Sequence, residues 1–235
     1  MTCRAPRRAM AATALLGLSI VAVPVTRAAQ TWSQGPVLTP VETLLETRTG
    51  DGALHLLFQA DAGGSVRDAV SSDAGATWAF RDVSDGDAAT ASFDLSFDAS
   101  NQTLTHVVYA GTGLVHARAA ANATTWTRTT LDPAPGAGAT GLAVAVRADT
   151  VAVLYRKDDT LWMIRSTDDG ATWGTATEVA AAAPGLLSLT IDPSGAMHAL
   201  YPFPDGTGPA YARSADDGAT WAETAVSHDT SLSGS

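Results

Sequence analysis

The chain has 235 residues, enough for one domain of ordinary size or two small ones. Hydrophobic residues make up 46% of it and charged residues 16%, a composition that excludes a disordered polymer and permits a packed core. With 24 acidic against 14 basic residues and a net charge of −10, the chain does not have the basic balance of a nucleic-acid-binding protein, and we expect no nucleic-acid partner.

Residues 1–28 have the features of an export signal. Three arginines precede an uncharged apolar run over residues 9–25, and Thr26-Arg27-Ala28 then offers small residues to a signal peptidase. The run is at the short limit for a membrane span, about 17 residues, so we favour cleavage over a retained anchor. The pair Arg7-Arg8 leaves the choice between general and twin-arginine export open. We expect a secreted or periplasmic protein without membrane attachment after cleavage.

Cleavage would also change the charge and the redox chemistry of the chain. It would remove four arginines and Cys3, leaving ten basic against 24 acidic side chains, a net charge of about −14, and no cysteine. Without cysteine there is no disulfide, no thiol nucleophile and no cysteine metal site, and the histidines show no metal-binding pattern. We therefore expect no metal and no cofactor.

A repeat of about 48 residues organises the remainder, residues 29–235. Its most regular members are the tryptophans Trp78, Trp126, Trp173 and Trp221, which are 48, 47 and 48 residues apart. Trp32 stands 46 residues before the first of them. This spacing indicates a repeat array, which we divide into repeats at about 33–78, 79–126, 127–173 and 174–221.

Each repeat is expected to form four short strands, A to D. A second column of similar sequence marks strand B: His55–Phe58, His106–Tyr109, Ala152–Tyr155 and His198–Tyr201. Alternation of apolar and polar residues marks the other strands, and in the last repeat the four are expected at 187–191, 197–201, 210–213 and 220–226. Four antiparallel strands per repeat of this length predict an all-β fold, a β-propeller with about four blades.

Three of the tryptophans end nearly identical octapeptides, Ser-x-Asp-x-Gly-x-Thr-Trp, at 71–78, 166–173 and 214–221. The motif falls between strands C and D, where Asp can accept backbone hydrogen bonds, Gly can adopt φ > 0 and Trp can anchor the next strand. One or two carboxylates per turn are too few for calcium, so we interpret the motif as a structural clamp. Its assigned residues are Ser71, Asp73, Gly75, Trp78, Trp126, Ser166, Asp168, Gly170, Trp173, Ser214, Asp216, Gly218 and Trp221.

These octapeptides, at this period, resemble the Asp-box or BNR repeat of the sialidase superfamily, and the resemblance covers residues 29–235. It implies a propeller whose boxes lie at the rim, away from the active site. It also implies six blades, whereas the chain has four A–B–C sets and a fifth D-like strand at Trp32. We expect truncation; a small closed ring and completion of the ring by associating protomers are the alternatives.

The alternating strand connections predict where a ligand would bind. The B–C and D–A loops share the face opposite the octapeptides, and residues repeated in every blade, such as the arginines 118, 165 and 213, are interpreted as scaffold. The histidines at 55, 106 and 198 are likewise expected to be packed. The ligand-binding candidates are non-repeated polar residues of the loop face and two arginines at the ends of A strands: Arg48, Asp61, Asp85, Asp87, Arg147, Arg156, Lys157 and Asp205.

The resemblance offers two functions. A sialidase would use three arginines to grip a carboxylate, a Tyr–Glu pair as nucleophile and an Asp as acid and base. The aromatic-Arg-Ile-Pro segment that begins this constellation is absent, and only Arg48 and Arg147 are placed near the axis, so no catalytic residue is assigned. We expect a non-catalytic module that binds carbohydrate or an extracellular protein; the alternative is a sialidase-type glycoside hydrolase, represented by a fragment.

Overall fold

The computed structural model describes most of the chain between residues 43 and 226. The described ranges are 53–59, 64–87, 93–97, 104–120, 123–135, 141–182, 185–205 and 208–226, with the backbone alone for 43–48, 97 and 225. The predicted leader at 1–28, the predicted strand at Trp32 and the candidate Asp61 lie outside them. All described residues belong to one compact unit, 38–235.

Sixteen strands account for the regular structure of the described residues. Sheet 1 contains β1 (Thr43–Arg48), β2 (Leu54–Gln59), β3 (Val66–Ser71) and β4 (Ala79–Asp82). Sheet 2 contains β5 (Phe93–Phe97), β6 (Leu104–Ala110), β7 (Leu114–Ala120) and β8 (Thr127–Asp132). Sheet 3 contains β9 (Leu142–Arg147), β10 (Thr150–Lys157), β11 (Thr160–Ser166) and β12 (Thr177–Ala181). Sheet 4 contains β13 (Ser188–Ile191), β14 (Met197–Pro202), β15 (Pro209–Ser214) and β16 (Ala222–Ala225).

Each sheet is a four-stranded antiparallel meander in chain order. The four strands expected in the last repeat match β13 to β16 to within about three residues. The predicted all-β propeller architecture, with about four blades, is confirmed. In the described part of the chain no helix is long and apolar enough to cross a membrane.

The sheets bury their faces against one another through three apolar clusters. Leu57 and Val66 of sheet 1 meet Val107 and Tyr109 of sheet 2. The second cluster joins sheets 2 and 3, and the third joins sheets 3 and 4. The first strands of neighbouring sheets contact each other, β1 with β5, β5 with β9 and β9 with β13, as the inner strands of successive propeller blades do.

Strand burial differs between sheets 3 and 4. Residues 151–156 of β10 are buried without interruption, because sheet 3 is covered on both faces. In β15, Ala210 and Ala212 are buried against sheet 3, whereas Pro209 and Arg213 are exposed. Sheet 4 therefore has one covered face and one exposed face.

The three octapeptides form the same hydrogen-bonded turn. In the turn at 166–173, the hydroxyl of Ser166 donates to Asp168 at 2.7 Å and accepts the Gly170 amide at 2.8 Å. Asp168 also accepts the amide and the hydroxyl of Thr172, at 2.8 and 2.6 Å. The turns at 71–78 and 214–221 repeat these bonds. The expected hydrogen bonding of Asp and positive φ of Gly are both present, with φ from 74° to 90° at the three glycines.

Arginines connect sheets 2, 3 and 4 to the sheet that precedes each of them. Arg118 of sheet 2 donates to the carbonyl oxygen of Asp169 in the turn of sheet 3, at 2.7 Å. Arg165 of sheet 3 pairs with the carboxylate of Asp217 in the turn of sheet 4, also at 2.7 Å. Between sheets 1 and 2, Arg81 has this function and donates to the carbonyl of Ala123 at 2.8 Å. These contacts fix the sheets at the end where the octapeptides lie.

Candidate functional site

The ends of the strands form two faces. The octapeptide face carries the turns between the first and second and between the third and fourth strands of each sheet. The opposite face, here called the loop face, carries the other turns and the connections between sheets. Most of the predicted candidates belong to the loop face.

Asp85 and Asp87 lie in the connection from sheet 1 to sheet 2. Asp87 accepts the amide and hydroxyl of Thr112 at 3.4 and 3.5 Å. Asp85 is largely exposed, and its carboxylate is 3.7 Å from Arg128. Burial and the charge of Asp87 raise the pKa of the Tyr109 hydroxyl nearby to about 12. These two carboxylates therefore act at the junction of sheets 1 and 2.

Lys157 lies at the next junction, between sheets 2 and 3. Its ammonium donates to Asp132 at 2.8 Å. Burial opposes ionisation of Asp132, but the hydrogen bonds from Lys157 and from the Ala134 amide outweigh it and lower the pKa of that carboxyl. Burial and Asp132 raise the pKa of the Tyr155 hydroxyl to about 12. The Lys157 cation is thus already neutralised by a neighbouring sheet.

Arg156 lies in strand β10, although the sequence pattern placed it in a loop. It is only 6% exposed, and it donates to the carbonyl of Ala182 at 3.1 Å and to the carboxylate of Asp159 at 2.6 Å. Arg156 is therefore positioned to hold the β12–β13 connection.

The last candidate of the loop face, Asp205, is exposed in the turn between β14 and β15.

The two arginines placed near the axis end on the octapeptide face. Arg147 is exposed and donates to the carbonyl of Pro193 in sheet 4, at 3.3 Å. Arg48 ends β1, and its side chain lies outside the described residues. The described contacts of the candidates are thus divided among separate junctions and both faces, and they do not join one cluster.

A Tyr–Glu pair is present in sheet 4. The hydroxyl of Tyr201 donates to Glu223 at 2.5 Å. Burial, followed by the Glu223 interaction, raises the pKa of Tyr201 well above its usual range. The phenol therefore stays protonated at neutral pH, and any nucleophilic reactivity would depend on Glu223 acting as its base. The Tyr201 ring packs in the core between sheets 3 and 4, and the residue also lines an open cleft of about 470 Å³.

Asp94 is a half-buried carboxylate on an inner strand. It accepts the amide of Val144 from the neighbouring inner strand, at 2.7 Å, and the amide of Leu95 at 2.8 Å. Burial outweighs these two hydrogen bonds and raises its pKa. Sequence reasoning did not identify Asp94, since nothing in its repeat distinguishes it from a solvated aspartate.

An open polar cleft separates the turns of sheets 3 and 4 on the octapeptide face. Its volume is about 580 Å³. It is lined by Met163, Arg165, Ser166, Thr167, Thr172, Trp173, Gly174, Thr175, Thr177, Asp216, Asp217, Gly218 and Ala219. We call it the inter-turn cleft.

The inter-turn cleft offers both donors and acceptors to a ligand. The Arg165 and Asp217 side chains are 26% and 69% exposed while they remain paired. Thr167 and Thr175 are exposed beside them. The carboxylate of Asp216, by contrast, is used within its own turn, where hydrogen bonds from Thr220 and Ser214 lower its pKa to about 2. A planar guanidinium–carboxylate pair with free edges can bind a ligand that both donates and accepts hydrogen bonds.

Sequence reasoning interpreted Arg165 as scaffold and did not select Asp217. The signal that could have found them is the Asp-Asp pair in the third and fourth positions of the last two octapeptides, each following an arginine at the end of strand C. Among the described residues, no group of three or more His, Cys, Asp or Glu side chains is arranged to hold a metal ion.

No family model matches the chain, and no curated protein sequence matches it. Solved structures do. The lectin BP39L from Burkholderia pseudomallei matches with a TM-score of 0.62 and 14% identity, over 80% of this chain and 56% of that one. The Hadza microbial sialidase Hz136 matches with a TM-score of 0.56 and 18% identity, over 79% and 46%.

The chain has the sialidase-like β-propeller fold. The SapL1 lectin, whose structure is a complex with alpha methyl fucoside, matches with a TM-score of 0.58 and 14% identity, over 79% of this chain and 62% of that one. This propeller chain therefore spans about half of the length of the proteins it resembles. The predicted resemblance in fold is confirmed, and the relatives include both lectins and a sialidase.

Proposed function

We propose that this propeller is a non-catalytic module that binds a neutral carbohydrate in the inter-turn cleft. The observation that carries the proposal is the half-exposed pair Arg165–Asp217, held at 2.7 Å in a cleft of about 580 Å³. Two similar folds belong to proteins named lectins, one of them in complex with alpha methyl fucoside, which supports a carbohydrate as the ligand class.

Vicinal hydroxyl groups suit this pair chemically. One sugar hydroxyl can donate to the free oxygen of Asp217 while its neighbour accepts from the Arg165 guanidinium. Because each group already has its partner, the site is ordered before the ligand arrives, which reduces the entropic cost of binding. Thr167 and Thr175 can extend the contact beyond the pair.

The charge of the cleft favours a neutral over an anionic sugar. Asp216 and Asp217 outnumber Arg165 among its charged lining residues, and the chain as a whole carries −10. An anionic sugar would meet an unfavourable potential there. The paired states of Arg156 and Lys157 on the loop face also support a ligand other than a sialic acid carboxylate.

Binding is tested by screening the purified chain on an array of neutral and sialylated glycans and titrating the best ligand calorimetrically. Asp217→Asn should weaken binding about tenfold or more, because it removes the charged acceptor of the pair. Asp169→Asn is the matched control, since Asp169 has the corresponding position and a similar φ in the preceding turn but is outside the cleft. Equal effects of the two substitutions, or binding of sialylated glycans alone, would contradict the proposal.

Hydrolysis is the second candidate, and Asp94 favours it. A carboxyl with a raised pKa on an inner strand has the property of a general acid. Turnover of a fluorogenic sialoside that is lost in Asp94→Asn and in Arg147→Ala, with binding retained, would replace the binding proposal. Asn at position 94 can still accept the Val144 amide but then loses the Leu95 amide, because its side chain has one acceptor oxygen, so unchanged thermal stability of the variant is needed to assign the loss of turnover to the proton.

We also propose export, on the pattern of residues 1–28. Expression of the whole gene in a bacterium, followed by mass measurement of the exported protein, tests it. A mature chain starting close to residue 29 is the expected result. Retention of the full mass in the membrane fraction would indicate an anchor.

A further inference from the structure

A recurring contact joins each sheet to the next. In sheet 2, His106 Nδ1 is 3.1 Å from His116 Nε2, and the two rings are stacked. The turn of sheet 3 covers this pair: Trp173 lies edge-on to His116 with ring centroids 4.8 Å apart, and Gly170 packs directly on the His116 ring.

Sheets 1 and 3 have residues at the corresponding positions of their second and third strands. In sheet 3, the counterpart of His116 is Met163, whose methyl group packs directly against Gly218 in the turn of sheet 4. In sheet 1, the corresponding pair is His55 and Asp68, with 3.2 Å between Nδ1 and the carboxylate, and both are fully buried. Each of these three sheets thus presents a site that the following sheet covers.

In sheet 4 this site is partly exposed. His198 and Tyr211 occupy the same register positions, with 2.7 Å between Nδ1 and the hydroxyl oxygen. Leu200, on the same face, is 46% exposed, and Leu186 at the edge of this face is 93% exposed. A cleft of about 470 Å³ opens beside them.

Arg213, the arginine directly before the octapeptide of sheet 4, has no acceptor for its side chain among the described residues. Arg213 corresponds to Arg118 and Arg165, each of which reaches the fourth residue of the next octapeptide. Arg213 is exposed, and its guanidinium has no hydrogen bond or ion pair with any residue of the described ranges. The face thus offers a cation and apolar side chains in the arrangement that receives an octapeptide turn.

One octapeptide turn has no sheet beneath it among the described residues. In the turn at 71–78, Ala74 occupies the fourth position, with φ of 58° and an exposed side chain. A methyl group added at Gly75 would meet only Trp78 and Leu54 of its own sheet. On the face of sheet 1 opposite sheet 2, Phe80 is 59% exposed, whereas Phe58 and Ala69 are buried, so this face is open at the end that carries the octapeptide turn.

We propose that the exposed face of sheet 4 binds sheet 1 of a second copy of this chain, with Arg213 of one copy donating to the Ala74 carbonyl of the other. The Asp169 carbonyl accepts Arg118 in the same way within the chain. Both halves of the contact exist on every copy, on different surfaces, so the association is head-to-tail. It extends the succession of sheets from one copy into the next.

The proposal is tested by sedimentation velocity on the purified chain over a range of concentrations. Self-association is expected, and Arg213→Glu should weaken it at least tenfold by placing an anion opposite a carbonyl. Arg147→Glu makes the same charge change at another exposed arginine and should leave association unchanged. Ala74→Asp, which copies Asp217, should tighten association about threefold or more, and only when Arg213 is present.

Mixing two variants tests the head-to-tail arrangement. Arg213→Glu disables one surface and Phe80→Arg the other, so each variant alone should be monomeric, whereas their mixture should form a dimer with one copy of each. A chain that stays monomeric at all concentrations would overturn the proposal and indicate that another segment or protein covers sheet 4. Association that is insensitive to Arg213→Glu would also overturn it.

Discussion

Arg118 donates to the backbone carbonyl of Asp169 across the junction of sheets 2 and 3, and Arg213 has the same place in sheet 4 without an acceptor among the described residues. This difference allows a matched prediction. Arg118→Ala should lower the free energy of unfolding by about 1–2 kcal/mol, because a charged hydrogen bond between sheets is lost. Arg213→Ala should change it by less than about 0.5 kcal/mol at a concentration where the chain is monomeric. Denaturant unfolding of the two variants gives both values. Equal destabilisation would contradict the role of Arg118 as an inter-sheet clamp.

Alanine substitutions at Gly170 and Gly195 distinguish the cost of backbone strain from the cost of a steric collision. Both have positive φ, 74° and 87°, so Ala is strained at either position. An added methyl group would collide with His116 at Gly170 but meets nothing within 4 Å at Gly195. Gly170→Ala should therefore be more destabilising than Gly195→Ala by about 1–3 kcal/mol. Thermal or denaturant unfolding measures the difference, and equal losses would show that the contact with His116 is loose.

The octapeptide aspartates should make the fold sensitive to strong acid. Hydrogen bonds from Thr172, Thr77 and Thr220 hold the pKa values of Asp168, Asp73 and Asp216 at about 2, below their usual 3.8. Because these folded-state pKa values are depressed, their contribution to stability is present above pH 3.8 and is lost as the pH falls through about 2. Asp168→Asn should flatten this part of the stability profile. Asp149→Asn, a change at an exposed aspartate outside the octapeptides, should leave the profile unchanged.

The histidines between sheets 2 and 3 should add a second dependence of stability on pH, in a less acidic range. Burial, with smaller effects of His106 and Arg118, lowers the pKa of His116 to about 3 from 6.5. The folded state therefore excludes a proton that the unfolded chain binds, and stability decreases as the pH falls from 6.5 towards 3. His106→Ala with His116→Met copies the Ala152–Met163 pair of sheet 3 and should remove this slope while the fold is kept. A slope that persists in the double variant would have to come from other groups.

The fold could be predicted from the sequence because its decisive interactions are local. The hydrogen bonds of Asp168 reach no further than Ser166 and Thr172, so the motif specifies its own turn. The segment that begins at His198 marks the second strand of sheet 4 in the same way, since an alternating pattern has only one register that buries its apolar side.

The candidate site could not be predicted in the same way, because its contacts cross between sheets. Arg165 and Asp217 are 52 positions apart in the sequence, and no local pattern indicates which carboxylate an arginine will meet. Arg156 was expected in a polar loop, but β10 continues to Lys157 and Arg156 is buried within the strand. Its burial is possible because the carbonyl of Ala182 and the carboxylate of Asp159 accept hydrogen bonds from its guanidinium. Polarity alone does not distinguish a side chain that binds a ligand from one that holds a connection.

The most direct test of carbohydrate binding in the inter-turn cleft follows the side-chain Nε–Hε resonances of the arginines by NMR during titration with the best array glycan. The Arg165 resonance should shift saturably, with the dissociation constant found by calorimetry, while those of Arg118 and Arg147 stay in place. A glycan that binds without moving Arg165, or that moves Arg147 instead, would contradict the assignment of the site to the cleft between sheets 3 and 4.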